Sequence, residues 1–425
     1  MNAHGLNAHA RLTTRDPISD PPRGARRLLA AAGPDLAAHT DRYGPLPALT
    51  NPPALIDMVA AAGLRGHGGA GFPTARKMTA AAAGHRPIVI ANGAEGEPES
   101  SKDAILLTRA PHLVLDGLIL VADAIGAHEC HLYAPEPTLA SVRRALSERR
   151  AAGAYGHRIQ LTAAPDTFLS GEKSAVINAV AGRSALPSDK PVSMSHKGLR
   201  GRPTLVHNVE TLAHAALIAR YGPGWFRTVG TRDEPGTMLV TLTGTAVTGV
   251  VEVPFGTTLS DLLTRTGKTD PATVRSVLIG GYHGAWIPAG ALRQAALSTA
   301  ALRSLHATPG AGLIRALPLT HCGLRASADI TTYLAAQNAG QCGPCRNGLP
   351  QLADAMAALA YGYAGDPSEI VWLAHLVDGR GACHHPDGTA RFVRSALAVF
   401  AEDVALHLRG TCQVIHTPAG TRNTR

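Results

Sequence analysis

Aromatic residues and cysteines are scarce in this chain. Phe, Trp and Tyr make up 4% of its 425 residues, and no basic segment is interleaved with aromatic side chains in the manner of nucleic-acid-binding motifs. We therefore expect no nucleic-acid partner. Six cysteines are too few to form a disulfide scaffold in so long a chain. Because several of them cluster in motifs, metal ligation in a reducing cytoplasm is favoured.

Long hydrophobic runs are also missing. The first twenty residues contain no apolar stretch of signal-peptide length, and the best apolar run, His112 to Ile125, is interrupted by Asp116 and Asp123. We expect a soluble, cytoplasmic protein with no direct membrane insertion, which could be peripheral to a membrane complex only through other subunits. The net charge of +9 indicates either an acidic partner or ligand, or simply a solvated surface.

A glycine-rich segment, GLRGHGGAG at residues 63–71, leaves a run of backbone N–H groups unshielded by side chains. Gly66, Gly68 and Gly71 satisfy the pattern G-x-G-x-x-G, but that pattern indicates a dinucleotide-binding turn only after a strand, and here a helix precedes it. The next helix would direct its free N–H groups back at the loop, with Lys77 as counter-charge. The segment predicts a phosphate site, and a flexible connection between two helices is the alternative.

A short apolar strand, Pro87 to Ala91, runs into the polar turn NGAEGEPESSKD. Ligands of open α/β sheets bind at the carboxyl ends of the strands, so the polar side chains of this turn are candidates for ligand binding. They are Asn92, Glu95, Glu97, Lys102 and Asp103.

The order of these features, a glycine loop, a strand and an NxxExEP turn, resembles the flavin subunit of the respiratory NADH:quinone oxidoreductase (complex I). It also resembles the related diaphorase subunits of soluble hydrogenases and formate dehydrogenases. The resemblance continues through LSGEKSAVINAVAGR (169–183), GRPTLVHNVETL (201–212) and GQCGPCRNG (340–348), and it covers nearly the whole chain after about residue 45.

The resemblance, together with alternating strand and helix patterns, predicts three folded units. An N-terminal extension (1–45) precedes an α/β flavin domain (46–232), which is Rossmann-like with an atypical glycine loop. A small ubiquitin-like β-grasp domain of the SLBB type is expected over 233–322. A helical bundle that binds an iron–sulfur cluster is expected over 323–425.

The resemblance further implies an FMN cofactor, NADH or NADPH as electron donor, and a 4Fe–4S cluster. The protein would be an NAD(P)H dehydrogenase of the diaphorase type, in which side chains orient the flavin and electrons continue to other redox subunits or a ferredoxin-type acceptor. The cofactor-binding residues implied in this way are Gly66, Gly68, Gly69, Gly71, Phe72, Lys77, Asn92, Glu95, Glu97, Gly171, Glu172, Lys173, Lys190 and Asn208.

The chain departs from the family pattern at several of these places. Of three phenylalanines that the family places around the nicotinamide and adenine rings, Phe72 remains, while Ala80 and Ser193 replace the others. Ala94 replaces an aspartate near the flavin, and Lys173 replaces the second glutamate of a GEE motif. Two alternatives therefore stay open. One is a ferredoxin-linked flavin carrier that no longer uses nicotinamide, and the other is a non-catalytic assembly subunit.

Three cysteines in two loops form a candidate metal site. Cys342 and Cys345 belong to CGPC, and Cys383 lies in GACHHPDG; thiolates in such bent loops can share one metal centre. The family uses a further cysteine where this chain has Ala339. The alternatives are a cluster with one non-cysteine ligand, a three-iron or labile cluster, and a redox-idle or zinc-like site. Candidate substitutes are Asn338, Gln341, His384 and His385, with Cys322 or Cys412 if the fold brings them close.

Overall fold

The structure is a computed structural model that describes residues 26–153, 157–189, 197–362 and 364–414. Lys190, one of the predicted cofactor residues, and Ser193 lie outside these ranges. Among the described residues up to 232, the α-helices are α1 (Leu36–Tyr43), α2 (Ala54–Ala62), α3 (Thr74–Ala82), α4 (Lys102–Arg109), α5 (Pro111–Ile125), α6 (Glu136–Ala151), α7 (Lys173–Val180) and α8 (Val209–Phe226). Its strands are β1 (Ile88–Asn92), β2 (Glu129–Pro135), β3 (Ile159–Ala164) and β4 (Thr204–Asn208).

These four strands form one parallel sheet in the order β3-β2-β1-β4, which confirms the predicted α/β fold with a parallel sheet. Strand β1 is buried along its apolar length, as expected of a central strand covered on both faces. Asn92 at the end of β1 pairs in register with Asn208 at the end of β4. Their side chains therefore start from the same edge of the sheet.

The segment before residue 46 packs into the core of this unit. Leu28 and Tyr43 are fully buried, and the Tyr43 hydroxyl lies 2.9 and 3.0 Å from the carbonyl oxygens of Arg27 and Leu28. The backbone N–H groups of Arg27 and Leu28 in turn donate to the buried Glu252 carboxylate at 2.9 Å. Glu252 lies in the strand Gly249–Pro254 of a second sheet, which is described below. This short segment therefore connects the two sheets.

Helix α5 carries a buried charge in its apolar face. Asp116 is ion-paired with Arg149 and Arg220, and His39 Nε2 lies 2.8 Å from its carboxylate. Although burial alone would raise the pKa of Asp116, the two guanidinium groups and His39 hold it well below its usual value. The aspartate that interrupts the apolar run therefore joins α1, α5, α6 and α8.

The second sheet has five strands: β5 (Thr237–Thr243), β6 (Gly249–Pro254), β7 (Val274–Ile279), β8 (Ala285–Pro288) and β9 (Leu313–Pro318). Their order is β6-β5-β9-β7-β8, with β5 and β9 parallel and the other pairs antiparallel. The short helix α9 (Leu259–Asp261) continues into a π-helical turn, Leu262–Thr266, and α10 is Thr299–Leu302. Leu259, Leu262 and Leu263 are buried in the core of this unit.

The last part of the chain is helical: α11 (Gly323–Ala336), a π-helical turn (Pro344–Gly348), α12 (Leu349–Tyr361), α13 (Pro367–Val377), α14 (His385–Val399) and α15 (Ala401–His407). Its core extends to β8, where Trp286 Nε1 donates to Ser327 Oγ at 3.0 Å. Within the described ranges, no single helix is long and apolar enough to span a membrane; α4 and α5 meet that criterion only as a pair bent by 94°.

Candidate functional site

The glycine loop connects α2 and α3 and is closed by its own backbone. Gly66 N donates to the Phe72 carbonyl at 3.0 Å, and Gly69 and Gly71 adopt φ values of 101° and 57°, which favour glycine. In the described part of the chain, the N–H groups of Gly68, Gly69 and Gly71 donate to no protein acceptor. The loop therefore presents several unsatisfied donors together, as an anion site requires.

Two lysines lie beside this loop. Lys77 lies in the first turns of α3. Its Nζ is 4.0 Å from the position that a Cβ atom on Gly66 would occupy. Burial, together with repulsion from the neighbouring Lys173, lowers the pKa of Lys77 to about 8. Phe72 is 41% exposed, and Lys77 Nζ lies 5.6 Å from its ring centroid. Two adjacent cations favour a doubly charged anion such as a phosphate.

At the edge of the parallel sheet, the predicted polar residues hold the helix starts in place. Asn92 Nδ2 donates to the Gly171 carbonyl at 3.0 Å. Asn208 caps α8 by accepting from Glu210 N at 3.0 Å, and Glu172 caps α7 by accepting from Ser174 N at 2.7 Å. Asn208 and Glu172 thus position backbone groups around the site through Asn208 Oδ1 and Glu172 Oε2.

These elements surround a cleft of about 260 Å³. Its wall includes Gly68 of the glycine loop, the turn after β1, the segment before α7 and the start of α14. Gly66, Gly69 and Gly71 line a neighbouring pocket instead. The predicted cofactor, turn and thiol residues that line it are Gly68, Asn92, Glu95, Glu97, Lys102, Asp103, Gly171, Glu172, Asn208 and Cys383. One of the predicted thiols is therefore part of the same wall as the predicted flavin residues.

The two glutamates of the turn have different surroundings. Glu95 accepts from Ser100 Oγ at 2.6 Å and from Ala104 N at 3.0 Å. Glu97 accepts from Tyr282 N at 2.9 Å, which fixes the turn against the second sheet. Burial raises the pKa of Glu97 to about 8, and the charge of Glu99 adds to this rise. Burial therefore favours the neutral form of the Glu97 carboxyl group.

A buried ionic group below the loop was not found from the sequence. Lys102 Nζ lies 2.7 Å from Asp103 Oδ1 and 2.9 Å from Glu210 Oε2, while His67 Nδ1 lies 2.9 Å from Glu210 Oε1. Burial would raise the pKa of Glu210, but Lys102 and His67 hold it below its usual value. His67, Glu210 and His214 have the spacing of a metal site. Both carboxylate oxygens of Glu210 are, however, already paired with Lys102 and His67. The group anchors the glycine loop to α8.

The three predicted thiols lie in adjacent loops. Burial opposes ionisation of Cys342, yet the N–H groups of Ala382 and Cys345 hold its pKa below the usual value. Burial raises the pKa of Cys345 to about 12, helped by the charges of Cys342 and Cys383. The structure thus brings Cys342 and Cys345 next to the loop that contains Cys383.

Most candidates for the missing ligand are otherwise engaged. His385 is buried, with Nε2 2.9 Å from the Leu334 carbonyl and Nδ1 3.0 Å from His283 Nε2. The side chain of His384 is 99% exposed and pairs with Asp387 at 2.9 Å. Asn338 is hydrogen-bonded to Ala335 and Gly340 of its own turn, and Gln341 is exposed. Cys322 and Cys412 lie together with His407.

Cys130 lies in β2 and is fully buried. Burial raises the pKa of its thiol to about 12. It therefore serves as a small apolar side chain of the core.

Comparison with known proteins gives two matching family regions. Residues 59–216 match the Nuo51 FMN-binding domain, and residues 325–407 match the NADH-ubiquinone oxidoreductase-F iron–sulfur binding region. The first region contains the glycine loop and the parallel sheet, and the second contains all three predicted thiols.

The relatives that align with most of this chain share one name. The NADH-quinone oxidoreductase F subunit of Mycobacterium tuberculosis is 30% identical over 394 residues, covering 85% of this chain and 86% of the relative. The corresponding F subunit of Streptomyces coelicolor is 30% identical over 384 residues, covering 84% of each chain. A crystal structure of an NAD+-reducing NiFe hydrogenase in the H2-reduced state contains a similar chain, with 30% identity and a TM-score of 0.77 over 84% of this chain; the match spans 63% of that hydrogenase chain.

Proposed function

Because the chain belongs to the family of NADH-quinone oxidoreductase F subunits, we propose that it is an FMN-dependent oxidoreductase that passes electrons from NAD(P)H through FMN to an iron–sulfur cluster and a protein acceptor. The observation that carries the proposal is the glycine loop with Lys77 and Lys173 beside it. Unsatisfied N–H donors and two cations fit the phosphate of FMN. FMN, when bound, supplies the hydride-accepting and single-electron chemistry.

The residues of the chain would bind and orient the flavin. The N–H groups of Gly68, Gly69 and Gly71 and the ammonium of Lys77 would hold its phosphate. Asn92 and Gly171 shape the wall next to it, since their mutual hydrogen bond fixes the start of α7. Glu97 would present a neutral carboxyl group at pH 7. The remaining predicted residues, Gly66, Phe72, Glu95, Glu172, Lys173, Lys190 and Asn208, are proposed for the same cofactor and nucleotide site.

We propose that Cys342, Cys345 and Cys383 hold the cluster. The adjacency of the two loops and the place of Cys383 in the cleft wall support this, because a short distance between flavin and cluster favours electron transfer. With Ala339 in place of a cysteine, and with His385 and Asn338 engaged in other bonds, we favour a labile cluster held by three thiolates.

The domain organisation is proposed on the same basis. A five-stranded mixed sheet crossed by a short helix supports the ubiquitin-like β-grasp unit at 233–322, and five helices support the bundle at 323–425. The relatives are named as subunits of larger oxidoreductases. We propose by analogy that other redox subunits or a ferredoxin-type protein accept the electrons, and that the chain is cytoplasmic or peripheral to a membrane complex.

Anaerobic purification of the full chain tests the flavin assignment. We expect a yellow-brown protein, FMN as the cofactor released on denaturation, and bleaching by NADH or NADPH. Colour without bleaching by either nucleotide would favour the ferredoxin-linked carrier. A colourless protein that cannot be reconstituted with FMN would favour the assembly subunit.

The cluster is tested by counting iron and sulfide in three serine variants, at Cys342, Cys345 and Cys383. We expect each variant to lose most of its iron, whereas the control Cys130→Ser keeps it because that thiol belongs to the core of the parallel sheet. Equal iron in all four variants would show that the assignment is wrong. Ala339→Cys should make the cluster more resistant to oxygen.

A further inference from the structure

A second group of sulfur and nitrogen donors lies in the C-terminal unit, apart from the three thiols assigned to the cluster. Cys322 Sγ, His407 Nε2 and Cys412 Sγ all lie within 4.8 Å of one another. His407 is fully buried, Cys322 is 7% exposed, and Cys412 is half-buried. Cys322 and Cys412 both fall outside the matched iron–sulfur region, residues 325–407. We propose that these three side chains bind one zinc ion, with water as the fourth ligand.

The distance between two of the donors is that of a zinc site. Zinc binds sulfur at about 2.3 Å and nitrogen at about 2.0–2.1 Å with tetrahedral angles, which places a sulfur and a nitrogen ligand roughly 3.5 Å apart. Cys322 Sγ and His407 Nε2 are 3.5 Å apart. The two donors therefore have the separation that a shared zinc ion imposes.

The orientation of His407 is fixed by a backbone carbonyl. His407 Nδ1 lies 3.2 Å from the Leu359 carbonyl oxygen on α12. This contact places the ring proton on Nδ1, so that the lone pair of Nε2 points toward Cys322. A histidine that binds metal through one nitrogen commonly donates its other N–H to a carbonyl or carboxylate in this way.

The backbone returns Cys412 to the other two donors. Helix α15 ends at His407, and Gly410 then adopts a left-handed φ of 75°. The turn is held by hydrogen bonds from Gly410 N to His407 O at 2.9 Å and from Thr411 N to Leu406 O at 3.1 Å. Because Cys322 is the residue before α11, one ion at this place would join α11, α12, α15 and the segment after α15.

The charges also suit a divalent ion. Two thiolates neutralise Zn²⁺ and His407 binds as a neutral ligand, so the occupied site has no net charge to bury. The nearby Asp403 is already paired with Arg275 at 3.3 Å. The half-buried position of Cys412 leaves one side accessible to water, which fits an open fourth position.

Metal analysis of the full chain tests the proposal. After anaerobic purification under reducing conditions, we expect about one zinc per chain. Cys412→Ser and Cys322→Ser should lose it while keeping flavin, iron and sulfide. Cys130→Ser is the matched control for a cysteine with no metal role, and Cys342→Ser should lose iron but keep zinc.

Replacement by Co²⁺ gives a readout that does not depend on variants. The wild-type chain reconstituted with Co²⁺ should show thiolate charge-transfer bands and intense tetrahedral d–d bands, and Cys412→Ser should lose them. Three results would overturn the proposal: no uptake of Zn²⁺ by the wild type, loss of zinc from Cys342→Ser but not from Cys412→Ser, or a disulfide between Cys322 and Cys412 in anaerobically prepared protein. Loss of flavin or iron with zinc retained would contradict the proposed function alone.

Discussion

Lys77 is the residue on which the phosphate assignment most depends. Its pKa is lowered to about 8 by burial and by Lys173, whereas a bound phosphate would raise it again. Binding of FMN is then favoured by the protonated lysine. The affinity for FMN should be highest below pH 8. It should fall as the pH rises from about 8 toward the pKa that Lys77 has in the FMN complex.

The titration of Lys77 predicts that pH affects binding of the FMN phosphate but not binding of the flavin ring. Fluorescence titration of the apoprotein at pH 7, 8 and 9 should show weaker FMN binding at the highest pH. Riboflavin, which has no phosphate, should show little change. Lys77→Met should bind FMN about 10-fold to 100-fold more weakly at pH 7, in line with the loss of a charge-assisted hydrogen bond worth about 1.5–3 kcal/mol. Lys268→Met, at an exposed lysine outside the flavin unit, is the control, and equal losses in both variants would contradict the assignment.

Lys173 bears on the choice between NADH and NADPH. A lysine in place of a glutamate reverses the charge near the proposed nucleotide site, and a contact with the additional phosphate of NADPH is worth about 1.5–3 kcal/mol. We expect Lys173→Glu to lower the ratio of NADPH to NADH reduction rates about 10-fold or more. Anaerobic stopped-flow measurement of flavin bleaching checks this, with the exposed Lys268→Glu as control. An unchanged ratio would remove Lys173 from nucleotide recognition and leave it as a second cation for the flavin phosphate.

Among the elements, α5 shows how one buried charge organises a helix layer. Asp116 is 1% exposed and pairs with Arg149 and Arg220. Removal of one partner from a buried ion pair leaves the other charges uncompensated and costs about 3–5 kcal/mol.

We therefore expect Asp116→Asn to lower the free energy of unfolding by about 3 kcal/mol or more, measured by urea denaturation. Asp123→Asn on the same helix is the control, because the Asp123 side chain is 44% exposed and its partner is His157. The pKa of Asp116 is depressed in the folded state, so its contribution is present at neutral pH and is lost as the pH falls below the unfolded value. A small effect of Asp116→Asn, similar to that of Asp123→Asn, would show that the three basic partners find other acceptors.

The elements that the sequence predicted are those with a local signal. The helices on both sides of the glycine loop follow the helical spacing of their apolar residues, α2 ends at Gly63 in the left-handed conformation, and β1 is a continuous apolar run. Strands β4 and β9 lack such a run, because polar residues such as His207 and Arg315 break up their apolar residues. The place of β4 beside β1 depends on pairing between residues 116 positions apart, such as Asn92 and Asn208, which no local pattern contains.

The same limit applies to the sites. The cysteines and glycines could be named from the sequence because their chemistry depends on residue type and short spacing. The side chains of Lys102, Glu210 and His67 come from distant elements, and so do those of Cys322, His407 and Cys412. Cys322 and His407 are 85 positions apart in the sequence. Only the folded chain brings them together. The cofactor roles of the individual predicted residues remain predictions until they are measured.

At the scale of the whole molecule, the segment 26–45 belongs to the structure that carries the site. Leu28 and Tyr43 are buried, and burial of each such side chain contributes roughly 1.5–3 kcal/mol. The same segment supplies N–H donors to Glu252, and burial raises the pKa of that carboxyl group to about 7 even with these donors present.

A chain that begins at residue 46 should therefore be much less stable than one that begins at Arg26, although the sequence resemblance starts only at about residue 45. We expect the shorter chain to be largely insoluble or to melt at a clearly lower temperature. Scanning calorimetry or circular dichroism would measure the difference, and equal melting temperatures would show that the segment is dispensable.

The wall shared by the cleft and the thiol loop has a thermodynamic consequence. Cys383 lines the cleft and is also proposed to hold the cluster, so an occupant of the cleft and the iron contact the same short segment. If loss of iron weakens the binding of that occupant by some factor, the occupant must strengthen the retention of iron by the same factor, because coupling between two binding equilibria is reciprocal. The resistance of the iron centre to chelators would then measure the fraction of chains whose cleft is occupied.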